Sequence, residues 1–409
     1  MKYFILLCDG MADMPVPELD MKTPLECAFK PNMDALAQAG NVGMMNPTPE
    51  GCKGGSEVGN LCVLGYDARK YLTGRSPLEA AAIGIHMDED DVALRCNLVT
   101  LSEDSPYSEK TMIDYSSDEI TTQEADQLIK ALNRNYSSEL VKFYTGFSYR
   151  HCLIIKNTDT DMTFTPPHNI TGQKINQYLP QGTLSKMLSL MMERSYELLK
   201  EHPVNIERVN KGLRPANSIW LWGQGRRMSL PSFKEKYGLE GGVITAVDLL
   251  KGIANCAGMR LYNVEGATGN LDTNYSGKAQ AAIKAFKEGC DLVYLHIEAP
   301  DECGHRHEVE GKVKAAEYID KLALKPVMDY LSGCGEDYKI LITPDHPTPL
   351  TTGSHSDNPV PFILYDSAEK APAHSRPAYS EKEAEASGLY VGDGITFLEK
   401  IIKGEPLGD

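Results

Sequence analysis

Short apolar runs rich in β-branched and aromatic residues recur along the chain, and the most informative of them stop at a carboxylate or an imidazole. Leu292 to Ile297 reads as a buried strand. It breaks at Pro300, after which Asp301 and His305 stand four residues apart, the spacing that places two side chains on one face of a helical turn. Tyr338 to Thr343 is a second such strand and runs directly into Pro344-Asp345-His346. Tyr3 to Cys8 is a third, ending in Asp9-Gly10, where Asp9 is either a strand-end ligand or the start of a turn. Further strands are expected at Asn217–Trp222, Gly242–Val247 and Pro361–Tyr365. Between them, helices are expected over residues 23–40, over 183–202 as a Met- and Leu-rich stripe stopped by Pro203, over 248–258, over 278–289 and over 395–403. Strands alternating with helices predict a mostly parallel α/β sheet covered on both faces, and such sheets bind ligands at the carboxyl edge.

The pattern changes near residue 88. Asp91–Thr100 reads as a strand, Thr121 and Glu124 form a capping box ahead of a helix, and Phe143–Ile155 is strand-like and carries Arg150 and His151. Pro166-Pro-His168 and Gly172 mark a loop. This mixture predicts a smaller α+β insert over residues 88–180, with 1–87 and 181–409 forming the main domain. Before the insert lies a glycine-rich loop, Pro49–Ser56, that turns into a helix at Ser56. The free N–H groups and partial positive charge of a helix start suit an alkoxide or a phosphoryl group, although a serine there is also an ordinary cap. Arg75, ahead of a Ser-Pro helix start, is placed to reach an anion.

With 409 residues the chain has room for two domains. A formal net charge of -16 argues against nucleic acid and anionic membranes as partners, though not against a small anionic substrate beside bound metal. Ten cysteines without a CxxC pair suggest reduced thiols and a cytoplasmic location, and neither a signal peptide nor a membrane span is expected.

Asp9, Asp301, Asp345, His305, His346 and His355 are enough ligands for two divalent ions, and Ser56 is a candidate nucleophile beside them. Without metal, three close carboxylates repel and take up protons. Two ions about 4 Å apart clamp a phosphoryl group and can stabilise a serine alkoxide. Mixed Asp/His ligation suits manganese or zinc better than magnesium.

Nearly end to end, the chain resembles the cofactor-independent phosphoglycerate mutases of archaeal type, within the alkaline phosphatase superfamily. The resemblance lies in Asp9-Gly10-Met-Ala-Asp13, Gly55-Ser56-Glu-Val-Gly-Asn60, Leu64-Gly-Tyr-Asp67, Thr73-Gly-Arg75, Arg95-Cys-Asn97, Gly266-Ala-Thr-Gly269, Leu271-Asp-Thr-Asn274, Pro300-Asp-Glu-Cys-Gly-His305 and Thr343-Pro-Asp-His346. It implies an alkaline phosphatase-like core and interconversion of 3-phosphoglycerate and 2-phosphoglycerate through a phosphoserine at Ser56. It further implies one metal on Asp9, Ser56, Asp345 and His346, another on Asp301, His305 and His355, and a grip on the substrate by Arg75, Arg95 and Arg150. The insert would then close over the site and exclude water. Two blocks depart from the family's pattern: an Asp-Arg-Arg-Ala-Gly block reads Ile113-Asp-Tyr-Ser-Ser117, and an Asp-Pro-His block reads Pro166-Pro167-His168. Both lie in the insert, so a related phosphotransferase such as a homoserine kinase stays open as an alternative.

Overall fold

The computed structural model describes residues 1–369 and 378–408. The chain forms two compact units, Met1–Leu72 with Leu230–Asp409, and Thr73–Ser229.

The first unit is built on an eight-stranded sheet. From one edge to the other its strands are Arg260–Leu261, Gly241–Ile244, Leu292–Ile297, Lys2–Cys8, Tyr338–Thr343, Val360–Asp366, Asn41–Met45 and Tyr390–Val391. Val360–Asp366 runs antiparallel to both of its neighbours; the other pairings are parallel. The mostly parallel α/β expectation therefore holds. Lys2–Cys8 is central because its residues are apolar on both sides. Phe4, Leu6 and Cys8 join the main core cluster, and Ile5 and Leu7, on the opposite face, are just as buried. The registers Cys8 to Ile297 and Leu7 to Thr343 bring three parallel strands to an end together. Asp9, Asp301 and Asp345 follow at the same carboxyl edge.

Helices differ from expectation mainly at prolines. Residues 23–40 form two helices, Pro24–Cys27 and Pro31–Ala39, because Pro31 cannot continue the first and starts the second. Pro203 ends Ser185–Leu199 and opens Pro203–Asn210 in the same way. Among the described residues no helix is long and apolar enough to cross a membrane. Among the described residues no cysteine forms a disulfide.

The second unit is antiparallel. Its long strand Val92–Leu101 pairs with Arg150–Ile155, Ser218–Arg226 and Met112–Asp114, and Val141–Phe147 extends the sheet. Helices Thr122–Tyr136 and Ser185–Leu199 pack their apolar stripes on one face in a core that includes Leu128, Leu132, Leu188, Met192 and Trp220. The unit is thus wider than the 88–180 read from sequence. Ser218–Arg226 was expected in the main sheet, but it hydrogen-bonds along Val92–Val99, and the 185–199 helix packs with it.

One buried acid near the carboxyl end has a consequence for stability. Glu381 accepts hydrogen bonds from Thr23 Oγ1 at 2.7 Å and Asp13 N at 3.0 Å, yet burial pushes its carboxyl up to about 7. A raised carboxyl binds a proton in the folded state that the unfolded chain has released. Stability therefore falls as pH rises from about 4.5 to about 7. Glu381→Gln is expected to flatten that slope in denaturant titrations across this range.

Candidate metal centre and anion cavity

Ser56 is the first residue of helix Ser56–Val63, and Gly55 takes the capping position, so the serine hydroxyl is not used as a cap. Its Oγ lies 3.3 Å from His346 Nε2. Asn60, one turn on, ties this helix to the sheet edge. Its Nδ2 donates to Ser56 O at 2.8 Å and to Asp345 Oδ2 at 2.7 Å, and its Oδ1 accepts from Tyr294 OH at 2.5 Å. Gly59 makes that approach possible, since a Cβ there would stand 2.3 Å from Asp345 O. Gly10, at φ +60°, is required for the same kind of reason: a Cβ would lie 2.6 Å from Asp301 Oδ1 and from Thr348 Oγ1.

Two ligand groups converge here, Asp9 with Asp345 and His346, and Asp301 with His346 and His355, each with donor atoms within 4.8 Å of one another. His346 Nε2 is 3.2 Å from Asp9 Oδ1 and 3.6 Å from Asp345 Oδ2. Asp301 and His305 meet across one turn of helix Ala299–His305 at 3.1 Å, as their spacing predicts. His355 Nε2 is 3.5 Å from Asp301 Oδ1 and 3.0 Å from His305 Nε2. Every metal-ligating candidate read from sequence is therefore in this cluster, and Ser56 is beside it.

Several features fit cations. Asp9 Oδ1 is buried and makes no well-aligned hydrogen bond, its nearest imidazole nitrogen being His346 Nε2 at 3.2 Å. The His305 ring donates from Nδ1 to Gly353 O at 2.8 Å, which aims Nε2 at Asp301 and His355 and keeps it as the ring nitrogen that could ligate a cation once deprotonated. The carboxylates also oppose one another. Burial and the Asp9 charge drive the Asp345 carboxyl well up. For Asp9, burial and Asp301 push the same way, but the imidazoles of His296 and His346 beside it hold it down near 2. For His346, burial disfavours the charge, but Asp345 and Asp9 more than offset it and raise the ring to about 10. Bound cations would offset the carboxylate charge that these opposed shifts reflect.

Supporting groups were not singled out from sequence. His296, inside an apolar strand, reaches Asp9 Oδ2 at 2.9 Å and Thr245 Oγ1 at 3.2 Å. A histidine interrupting a buried run was the available signal. Lys278 Nζ lies beneath, 3.3 Å from His296 O, its amine lowered by burial to about 8.

Arg75, Arg95 and Arg150 are not part of that cluster. They line one cavity of about 190 Å³ within the second unit, with Glu79, Asn97, Tyr115, Tyr149, His168 and Trp222. Arg95 forms a two-pronged pair with Glu79, Nε donating at 2.9 Å, and its guanidinium stacks 4.5 Å from the Trp222 ring. Trp222 Nε1 donates to Asn97 Oδ1 at 2.9 Å. Arg150 donates to Tyr149 OH at 2.9 Å. Edge-on contacts join Tyr149, Tyr115, His168 and Trp222 in a continuous aromatic wall. The two blocks that depart from the family's pattern thus contribute Tyr115 and His168 to this wall.

The fold is that of a solved class, the cofactor-independent phosphoglycerate mutases: the enzyme from Thermoplasma acidophilum superposes with a TM-score of 0.70 at 22% identity, over 99% of this chain and 100% of that one. The PH0037 protein from Pyrococcus horikoshii superposes at 0.82 with 26% identity, over 100% and 99%. In sequence, the 2,3-bisphosphoglycerate-independent phosphoglycerate mutase of Methanothrix thermoacetophila is 46% identical over 404 residues, 99% of this chain and 100% of that one. The model of the 2,3-bisphosphoglycerate-independent phosphoglycerate mutase family matches residues 37–205. The chain belongs to that family.

Proposed function

We propose that the protein interconverts 3-phosphoglycerate and 2-phosphoglycerate without bisphosphoglycerate, in the cytoplasm, through a phosphoserine at Ser56. The observation that carries this reading is the Ser56 hydroxyl at a helix start, 3.3 Å from an imidazole of the strand-end Asp/His cluster. Ser56 loses its hydroxyl proton, its Oγ forms a bond to the substrate phosphorus as the bond from phosphorus to the 3-oxygen breaks, and the released glycerate's 3-oxygen takes up a proton in exchange. The reverse reaction on the 2-hydroxyl regenerates the serine. Asp9, Asp345 and His346 with Ser56, and Asp301, His305 and His355, would hold two divalent cations, manganese or zinc, whose charge would favour the serine alkoxide and the transferring phosphoryl oxygens. Asn60 fixes Ser56 relative to Asp345, and His296 orients Asp9.

The second unit serves as the substrate grip. Its cavity sets three guanidiniums against one carboxylate, and Glu79 is already engaged by Arg95. That balance suits a phosphate and a carboxylate on one small molecule and disfavours the ammonium of an amino acid such as homoserine. The test incubates purified protein with 3-phosphoglycerate and Mn2+, without bisphosphoglycerate, and follows products by phosphorus NMR. Appearance of 2-phosphoglycerate is the expected result. Its absence, with homoserine phosphorylated from ATP instead, would overturn the substrate assignment and leave the serine chemistry standing.

A further inference from the structure

Beneath the cluster lies a fully buried ion pair that the chemistry above does not use. Lys312, on helix Val309–Tyr318, donates to Asp13 Oδ2 at 2.7 Å, with no exposure of either side chain. The same ammonium donates to Thr348 O at 2.8 Å and to Ala12 O at 3.4 Å, so all three of its protons are directed. Asp13 also accepts from Leu350 N at 3.2 Å and from Met14 N at 2.8 Å. Burying two charges is costly, and removing one partner leaves the other uncompensated, so such a pair fixes its surroundings firmly.

What it fixes is the turn that follows His346. Thr348, held through its carbonyl by Lys312, donates its hydroxyl to Asp301 Oδ1 and lies 3.2 Å from His346 Nδ1. Asp301 and His346 come from different strand ends, and Thr348 is a hydroxyl that touches both. It is fully buried and packed closely against two glycines. A Cβ on Gly10 would stand 2.6 Å from its Oγ1, and one on Gly304 2.5 Å from its carbonyl oxygen.

The geometry points to Thr348, set in place by the Lys312–Asp13 pair, as the positioning residue that holds Asp301 and His346 in a cation-ligating arrangement. This rests on the reading of the cluster as a metal site. None of the three residues touches substrate; they act through the ligands they orient.

Mn2+ affinity of chelator-stripped protein, measured by calorimetry or electron paramagnetic resonance, tests it. Thr348→Val removes the hydroxyl and keeps the shape, and is expected to weaken Mn2+ binding about 10- to 100-fold. Thr348→Ser keeps the hydroxyl and is expected to restore native affinity. Equal loss in both variants assigns Thr348 a packing role and overturns the inference, as does native affinity in Thr348→Val. Lys312→Met is expected to weaken Mn2+ in the same direction, and native affinity in that folded variant removes Lys312 from the assignment. If Lys312→Met does not fold, Lys312→Gln takes its place with the same expected result. A wild-type protein that binds no Mn2+ would instead sink the metal reading itself.

Discussion

Ser56→Ala is expected to lower mutase turnover by about 10⁴-fold or more, the scale on which loss of a nucleophile acts in enzymes that use one. The substitution removes one oxygen and nothing the fold depends on. Gly55, not Ser56, occupies the capping position, and the Asn60 bond goes to the backbone carbonyl of Ser56, which the variant keeps. Thermal stability is therefore expected to change by less than about 0.5 kcal/mol, the usual limit for substitutions that remove no cap, core contact or buried pair. Mn2+ binding persists, because the six carboxylate and imidazole ligands of the cluster, Asp9, Asp301, Asp345, His305, His346 and His355, are all unaltered. Phosphoryl label from substrate appears on the wild-type peptide containing Ser56 and not on the variant. Turnover in Ser56→Ala comparable to wild type would remove the covalent step from the mechanism.

Chelation is expected to cost both activity and stability. A cation present at about 100 times its Kd adds about 2.7 kcal/mol to the folded state, or about 5–10 °C of melting temperature for a unit of this size. The loss is confined to the unit that carries Asp9, Asp301 and Asp345. The Thr73–Ser229 unit has its own core, built from different residues. The pH dependence has a definite sign. In the ion-free protein a hydrogen bond to Asp301 raises the His305 imidazole to about 9. A raised imidazole contributes stability that is complete below its unfolded value near 6.5 and is lost as pH rises through about 9. The same proton must leave before Nε2 can bind a cation. The ion-free protein thus weakens over this window while cation binding strengthens, so the melting-temperature gain from Mn2+ grows between pH 6.5 and 9. Calorimetric scans with and without chelator at several pH values check this, and an unchanged transition would contradict it.

The strand-end cluster was legible in the sequence because each ligand stands next to a strong local signal. Asp345 and His346 follow an unbroken β-branched run, and Asp301 and His305 share a helical spacing that needs no knowledge of the fold. Ser56 was marked by its glycine-rich approach. The groups that steady these ligands were not legible for a physical reason. Lys312 and Asp13 lie 299 positions apart, and neither carries a local pattern that sets it apart from a solvated charge. Only burial shows that they are paired. The extent of the second unit was hidden similarly. Ser218–Arg226 has the apolar pattern of any α/β strand, and pairing with Val92–Val99 is a long-range choice that periodicity does not encode. The aromatic wall of the cavity escaped notice because Tyr115, Tyr149, His168 and Trp222 come from four separate segments.

The central position of Lys2–Cys8 bears on how the protein is made. This strand emerges first, and both of its neighbours, Leu292–Ile297 and Tyr338–Thr343, follow it after the whole Thr73–Ser229 unit. At bacterial-to-eukaryotic elongation rates of about 5–20 residues per second, an apolar segment with two open edges waits on the order of 20–70 s for its partners. The Thr73–Ser229 unit is continuous in sequence and can complete its own sheet during that interval. The nascent chain therefore carries a finished body on an unpaired hydrophobic strand, the kind of intermediate that ribosome-associated chaperones shield.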